Sequence, residues 1–205
     1  MSTQTEKTDK QFKEVMAECR QLFADKLHDY SASWRLLRPT SVTDQLLIKA
    51  RRIRSLEIKG VSKVGEGIRP EFIGLINYGI IDLIQIEKGF SDHVDMSPEE
   101  ALMLYDKKAN DALELMLRKN HDYDEAWRAM RVSSYTDLIL TKLERIKEME
   151  DIAEHTLVSE GIASNVTDII NYSVFGAIRL NESDRAIKGL SDRDATQLSS
   201  LNSQN

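Results

Sequence analysis

Basic and acidic residues recur in the second half of the sequence in a pattern that suits a metal and phosphate site. Lys142 and Arg145 lie three residues apart and therefore share one face of a predicted helix. Asp168 and Tyr172 share a face of the next predicted helix, and Glu160 precedes it. Mg²⁺ and Mn²⁺ suit carboxylate ligands and substrate phosphates, while Lys and Arg neutralise phosphate charge. We therefore expect Glu160 and Asp168 to hold the metal and act in catalysis, and the two basic residues to bind phosphate.

The same charged residues also have a simpler interpretation. Lys142 and Arg145 could pair with acidic neighbours on a solvated helix, which is the commoner role for any single charged residue. The argument against this interpretation is that the pair occurs twice, because Lys49 and Arg52 stand 93 positions earlier. We therefore also expect Lys49 and Arg52 to bind phosphate.

The pair belongs to an internal repeat that covers most of the chain. Residues 26–57 and 119–150 are identical at 15 of 32 aligned positions, and after a one-residue shift the match resumes in the third predicted helix. The shared residues are mostly polar or aromatic, whereas a purely structural repeat would share mainly apolar positions. Among the matches are Lys26 with Lys119, His28-Asp29-Tyr30 with His121-Asp122-Tyr123, Trp34-Arg35 with Trp127-Arg128, and Asn77-Tyr78 with Asn171-Tyr172.

Several of these repeated residues are further candidates for substrate binding. Asn77 and Asn171 interrupt apolar helices, and a buried amide needs a partner on the protein or on a ligand. Tyr172 follows Asn171 directly, and Asp122 and Tyr123 lie where a helix meets a loop. These five residues are therefore predicted to contact the substrate.

The two copies differ at acidic positions of the third helix. Asp168 corresponds to Gly74, and Glu71 corresponds to Asn165, so neither copy carries both acids. Either one site has decayed or the halves share a site. In the shared arrangement Glu71 would be a metal ligand that joins Asp168 from the other copy.

The elements that position these residues are all helical. Each copy is predicted to form three helices, and no segment shows the alternation of a strand. The first repeat spans 9–89, the second spans 97–182, and the polar segment 183–205 is predicted to be a flexible tail. The expected fold is all-α, with two tandem three-helix repeats packed about a pseudo-twofold axis as one globular unit, like a fused homodimer.

Composition narrows the functional classes. The 205 residues carry a net charge of −6, which argues against direct nucleic-acid binding because that needs a positive face. No apolar run reaches the length of a membrane span. The single cysteine, Cys19, cannot form an internal disulfide, so we expect a reducing compartment, the cytoplasm. The sequence leaves open whether the chain forms a further homodimer.

The repeated motifs resemble a known family. The pattern Lys-x-x-Asp-Tyr-x-x-x-Trp, followed by Asp-x-x-x-x-Lys-x-x-Arg, a Glu, a helical Asp and Asn-Tyr, is similar to the nucleotide-modification-associated domain of the first type. The resemblance covers about 26–180, and the double-length form resembles one common in Bacteroidetes. The family is in turn similar to all-α NTP pyrophosphohydrolases, the MazG-like superfamily. The resemblance therefore implies nucleotide binding, with a (d)NTP as substrate and Mg²⁺-dependent release of pyrophosphate.

Three other functions stay open at this point. The Glu-x-x-Glu motif of that superfamily is interrupted, at Glu144-x-x-Lys147 and at Arg51-x-x-Arg54, which favours a catalytically silent nucleotide-binding or regulatory module of the same fold. His121 with Asp122 is a literal His-Asp pair and would suit an HD-type metal phosphohydrolase, although the first copy has no histidine before His28. Finally, the repeated polar residues could only hold the two halves together as a scaffold.

Overall fold

The protein, described from a computed structural model, is built from α-helices joined by short connections. The structure describes the backbone of residues 3–60, 67–152 and 158–202, and the side chains of residues 5–60, 67–152 and 161–186. Within these ranges there are six α-helices, two short 3₁₀ helices and no strand. The α-helices are α1 (Thr3–Tyr30), α2 (Pro39–Lys59), α3 (Arg69–Lys88), α4 (Pro98–Tyr123), α5 (Val132–Ile152) and α6 (Val158–Asn202), and the 3₁₀ helices are Ser33–Leu36 and Ala126–Ala129.

Proline and glycine mark several of the helix ends. All three prolines stand in the first turn of a helix, where the missing N–H costs nothing. Ser97 caps α4, with its Oγ accepting a bond of 3.2 Å from the backbone N–H of Glu100, as the sequence predicts. Gly60 and Gly89 follow α2 and α3 with φ of +70° and +74°, a conformation that glycine adopts without strain.

The helices pack about a pseudo-twofold axis, as predicted from the repeat. Each helix packs on its own counterpart, α1 on α4, α2 on α5 and α3 on α6, and α1 contacts α6 as α4 contacts α3. One hydrogen bond is made twice across the axis: Thr43 Oγ1 donates to Glu150 at 2.7 Å, and Thr136 Oγ1 donates to Glu57 at 3.0 Å. The repeated Glu57 and Glu150 therefore hold the two halves together.

One hydrophobic core runs through both repeats. Its fully buried aliphatic side chains come mainly from α2, α3, α5 and α6. Burial of this continuous surface joins the repeats into one unit. Among the fully buried aliphatic side chains are Leu46, Ile53, Leu75, Ile76, Ile80, Ile84 and Ile139.

The ends of the helices differ from the sequence prediction in two places. The first helix begins at Thr3 rather than near residue 9, and α6 continues to Asn202, although the segment 183–205 was expected to be a flexible tail. Once a helix has started, each further residue adds a hydrogen bond, and no proline interrupts the chain after Ile178. A polar composition is therefore compatible with continued helix. No described helix combines the length and the apolarity that a membrane span needs.

Candidate functional site

Each repeat contains a pocket at the same place in its fold. The pocket lies between the end of the first helix, the 3₁₀ helix and the third helix of its own repeat. The first pocket has a volume of about 490 Å³ and the second about 400 Å³. Side chains that line both at corresponding positions include Lys26 and Lys119, Tyr30 and Tyr123, Trp34 and Trp127, Leu37 and Met130, Asn77 and Asn171, and Tyr78 and Tyr172.

The second pocket contains an acid bound by two lysines. Asp168 of α6 accepts a hydrogen bond from Lys119 Nζ at 2.5 Å and pairs with Lys142 Nζ at 2.8 Å. Its side chain is 12% exposed, and burial alone would raise the pKa of this carboxyl. The two lysines outweigh burial and hold the pKa of Asp168 below its ordinary value. Asp168 is therefore a charged, internally neutralised group.

The first pocket has no acid at the corresponding position, which is Gly74. A Cβ built on Gly74 would lie 2.8 Å from Cδ and Cε of Lys49, so the Lys49 side chain fills the space beside it. The Lys49 ammonium also lies 5.5 Å from the centre of the Tyr78 ring, and Lys26 lies 5.4 Å from that of Tyr30. The first pocket is consequently lined by two cationic side chains and by no carboxylate among the described residues.

The two buried asparagines that line the pockets are bonded differently. Tyr105 of α4 donates its hydroxyl to Asn77 Oδ1 at 2.7 Å, so the first-repeat amide is fixed by the other half of the molecule. The counterpart of Tyr105 is Phe12, which has no hydroxyl. Asn171 Oδ1 is accordingly buried and has no hydrogen-bond partner among the described residues. A polar group of a ligand, or water, would satisfy it.

The two tryptophans also differ. Trp127 stacks on Phe175 with ring centres 4.2 Å apart, and the Arg128 guanidinium lies 4.3 Å from its centre, so its ring is already covered. Its indole N–H donates to Asn120 at 3.2 Å. In the first repeat Leu27 replaces Asn120, and the buried Trp34 Nε1 finds no acceptor in the described part of the chain.

Arg52 and Arg145, the remaining predicted phosphate ligands, lie away from the walls of the pockets. Arg52 bonds Glu71 at 2.5 Å, and Glu71 also lies 3.6 Å from Lys49. Glu71 and Asp168 thus form their ion pairs within their own repeats. Arg145 is exposed on α5, where it borders a shallow depression with neighbours from the same helix. Lys142 and Asp168 are brought together as expected, whereas Arg145 lies on another surface.

The structure does not gather the predicted metal ligands that it describes into a group of acids. Among the side chains that the structure describes, no group of three or more His, Cys, Asp or Glu could hold a metal ion. Asp168 and Glu71 are described, whereas the Glu160 side chain lies outside the described residues. The residues of the proposed His-Asp site are on the surface, since His28 and His121 are each 89% exposed. Asp122, an expected substrate ligand, is likewise exposed and contacts only its neighbour His121 in the described structure.

Some repeated polar residues hold the fold together instead of lining a pocket. Arg35 donates to Asp95 at 2.8 Å and to the Gly89 carbonyl at 2.5 Å, which fixes the segment between the repeats. Arg128 donates to Glu125 at 2.5 Å and to Glu182 at 3.1 Å, and so joins the second 3₁₀ helix to α6. Repetition alone therefore does not identify a ligand-binding residue.

Lys26 and Lys119 are pocket residues that residue-by-residue reasoning did not select as ligands. The signal for them was present, since both begin the repeated Lys-x-His-Asp-Tyr segment. The sequence does not reveal that the end of the first helix packs against the third helix. This packing brings each lysine into its pocket.

The matches to known families fall on the segments that build these pockets. The model of the family described as nucleotide modification associated domain 1 matches residues 26–86 and 119–180, which together make up more than half of the chain. The chain belongs to this family. Each matched segment begins at the lysine near the end of the first helix of a repeat and includes the Asn-Tyr of its third helix. No curated protein and no solved structure matches the chain.

Proposed function

We propose that this protein binds a nucleotide in the pockets of its repeats. The observation that carries the proposal is that two copies of the family domain line equivalent cavities with the same lysine, asparagine, tyrosines and tryptophan. A role confined to stability would not require those polar and aromatic types to border open space in both copies.

The chemistry of the lining matches the parts of a nucleotide. The amines of Lys26 and Lys49 suit phosphate oxygens, and the Asn77 amide suits the polar edge of a base or a sugar. Tyr30 is 62% exposed at the rim, where its ring could stack on a base. The volumes of about 490 and 400 Å³ lie within the usual range for small-molecule sites, roughly 300–1,000 Å³.

The contacts of Asp168 favour binding over hydrolysis. A carboxylate that pairs closely with Lys119 and Lys142 would have to give up both partners to bind Mg²⁺ or Mn²⁺. Ion pairs of this kind are costly to break when one member is buried. A binding or regulatory role is accordingly the function that we propose, and metal-dependent (d)NTP pyrophosphohydrolysis is the alternative that the same experiment tests.

The test is a thermal-shift panel of ribo- and deoxynucleoside mono- and triphosphates, each with and without Mg²⁺ or Mn²⁺, with released pyrophosphate measured in the same samples. A nucleotide at 100 times its dissociation constant should stabilise the fold by about 2.7 kcal/mol. The double variant Tyr30→Ala and Tyr123→Ala should weaken binding by roughly 1–3 kcal/mol for each base that stacks, whereas Met103→Ala, an exposed change on α4, should not.

The outcomes separate the possibilities. If a bound triphosphate releases pyrophosphate in the presence of Mg²⁺ or Mn²⁺, the protein is a hydrolase and the proposed binding role is wrong. If no member of the panel shifts the melting temperature, the nucleotide proposal is wrong. If the tyrosine and Met103 variants behave alike, the ligand does not use the rims of these pockets.

A further inference from the structure

The two pockets differ in whether their hydrogen-bond donors have partners within the chain. In the second pocket the donors are satisfied: Asp168 accepts from Lys119 and Lys142, and the Trp127 indole N–H bonds Asn120. In the first pocket Gly74 and Leu27 stand where these two acceptors would be.

The donors of the first pocket have no such acceptor. Lys49 Nζ lies 3.6 Å from the nearest Glu71 oxygen, longer than a hydrogen bond, and Glu71 makes its short contact with Arg52 instead. Lys26 contacts the ring of Tyr30 and no carboxylate among the described side chains. The buried Trp34 N–H has no acceptor there either. The first pocket thus presents two cations that make no hydrogen bond to a carboxylate among the described residues, although Lys49 is ion-paired with Glu71, and one buried neutral donor without an acceptor.

We infer that the first pocket binds a phosphate group of the ligand and that the second does not, because the Asp168 carboxylate already occupies the corresponding place. The chain would then bind one phosphate-bearing ligand rather than two. The inference rests on the proposed function in one respect only, namely that the ligand is a nucleotide. Its physical basis is independent: the Trp34 N–H is buried without an acceptor, which is costly, and the more exposed amines of Lys26 and Lys49 can make charge-assisted bonds to an anion.

Substitutions at the two corresponding positions convert one pocket into the other. Gly74→Asp places a carboxylate beside Lys26 and Lys49. The atoms that a Cβ would touch belong to the flexible end of Lys49, which can move aside. Gly74→Ala is the matched control, since it adds the same Cβ without the charge. Asp168→Ala frees Lys119 and Lys142 and makes the second pocket resemble the first.

The experiment is titration calorimetry with inorganic pyrophosphate in the absence of divalent cations. Wild type should bind one pyrophosphate per chain. Gly74→Asp should weaken that binding at least about tenfold more than Gly74→Ala, which displaces Lys49 in the same way without adding a charge, and Asp168→Ala should bind a second pyrophosphate. Circular dichroism should show that the variants are folded, and if Asp168→Ala is not, the two Gly74 variants decide the question.

Three results would overturn the inference: no pyrophosphate binding by wild type, two equal sites in wild type, or equal binding by the two Gly74 variants. Parallel titrations with the nucleotide from the thermal-shift panel distinguish the two proposals. If the nucleotide binds and pyrophosphate does not, nucleotide binding survives and the phosphate assignment fails. If pyrophosphate binds in the first pocket and no nucleotide does, the phosphate site stands and the nucleotide function fails.

Discussion

The buried carboxyl of Asp82 should make the protein less stable as the pH rises. Asp82 lies on α3, is 1% exposed, and neither of its carboxyl oxygens has a hydrogen-bond partner among the described residues. Burial, and after it the charge of Glu150, raises the pKa of Asp82 well above its ordinary value. Its counterpart in the second repeat is Gly176, so the molecule carries this group only once.

The sign and size of the effect follow from proton linkage. A folded-state pKa above the unfolded-state value, about 3.9 for Asp, means that the folded protein holds the proton more tightly. The contribution of Asp82 is fully present below that unfolded-state value and is lost as the pH rises through the folded-state pKa. Within this window the loss is about 1.4 kcal/mol of unfolding free energy per pH unit.

Substitution of Asp82 by Asn removes the titration with little change of shape. The test is urea unfolding of wild type and Asp82→Asn, monitored by circular dichroism and repeated at intervals from pH 4 to 8. The difference in unfolding free energy should grow in favour of the variant by up to about 1.4 kcal/mol per pH unit until the pH passes the folded-state pKa of Asp82. Asp111→Asn, an exposed change on α4, is the control and should run parallel to wild type. Parallel curves for Asp82→Asn as well would refute the reasoning.

Three further predictions concern the other polar groups. Arg128→Met should lower the unfolding free energy by about 3–5 kcal/mol in thermal or urea unfolding, because it leaves the buried Glu125 carboxylate without its cationic partner; a loss below 1 kcal/mol would contradict this. Asp168→Asn should lower the unfolding free energy by about 1–3 kcal/mol at pH 7. This range allows for solvent screening of the ion pair, because Lys119 is 49% exposed. Since the pKa of Asp168 is lowered, the difference should shrink as the pH falls below about 4, and a difference independent of pH would argue against it. Phe12→Tyr should raise the melting temperature, because it offers Asn171 the hydroxyl that Tyr105 gives Asn77 and adds about 0.5–1.5 kcal/mol; a decrease would show that the hydroxyl has no room.

The repeat in the sequence allowed the architecture to be predicted. Matching polar and aromatic residues at a fixed separation indicated two like units, and helical spacing with few glycines and prolines indicated their class. The continuation of α6 through the polar segment to Asn202 was not predicted, because composition describes how well a segment can build a core, not whether it extends a helix that has already formed. The sequence placed Lys142 and Asp168 on successive helices as candidates for one site, but it did not predict that their side chains pair, as they do at 2.8 Å.

The sequence by itself determined that this chain is a duplicated helical protein and which residues the copies share. Only the tertiary structure decided what each shared residue does. Spacing along a helix shows which side chains lie on one face, but not which other helix that face meets. Arg35 and Lys26 are equally well repeated, yet packing makes the first a buried tie to Asp95 and leaves the second in a pocket wall. The difference between Asp168 and Gly74 is visible in the sequence, but its meaning depends on the two lysines that folding brings to the acid.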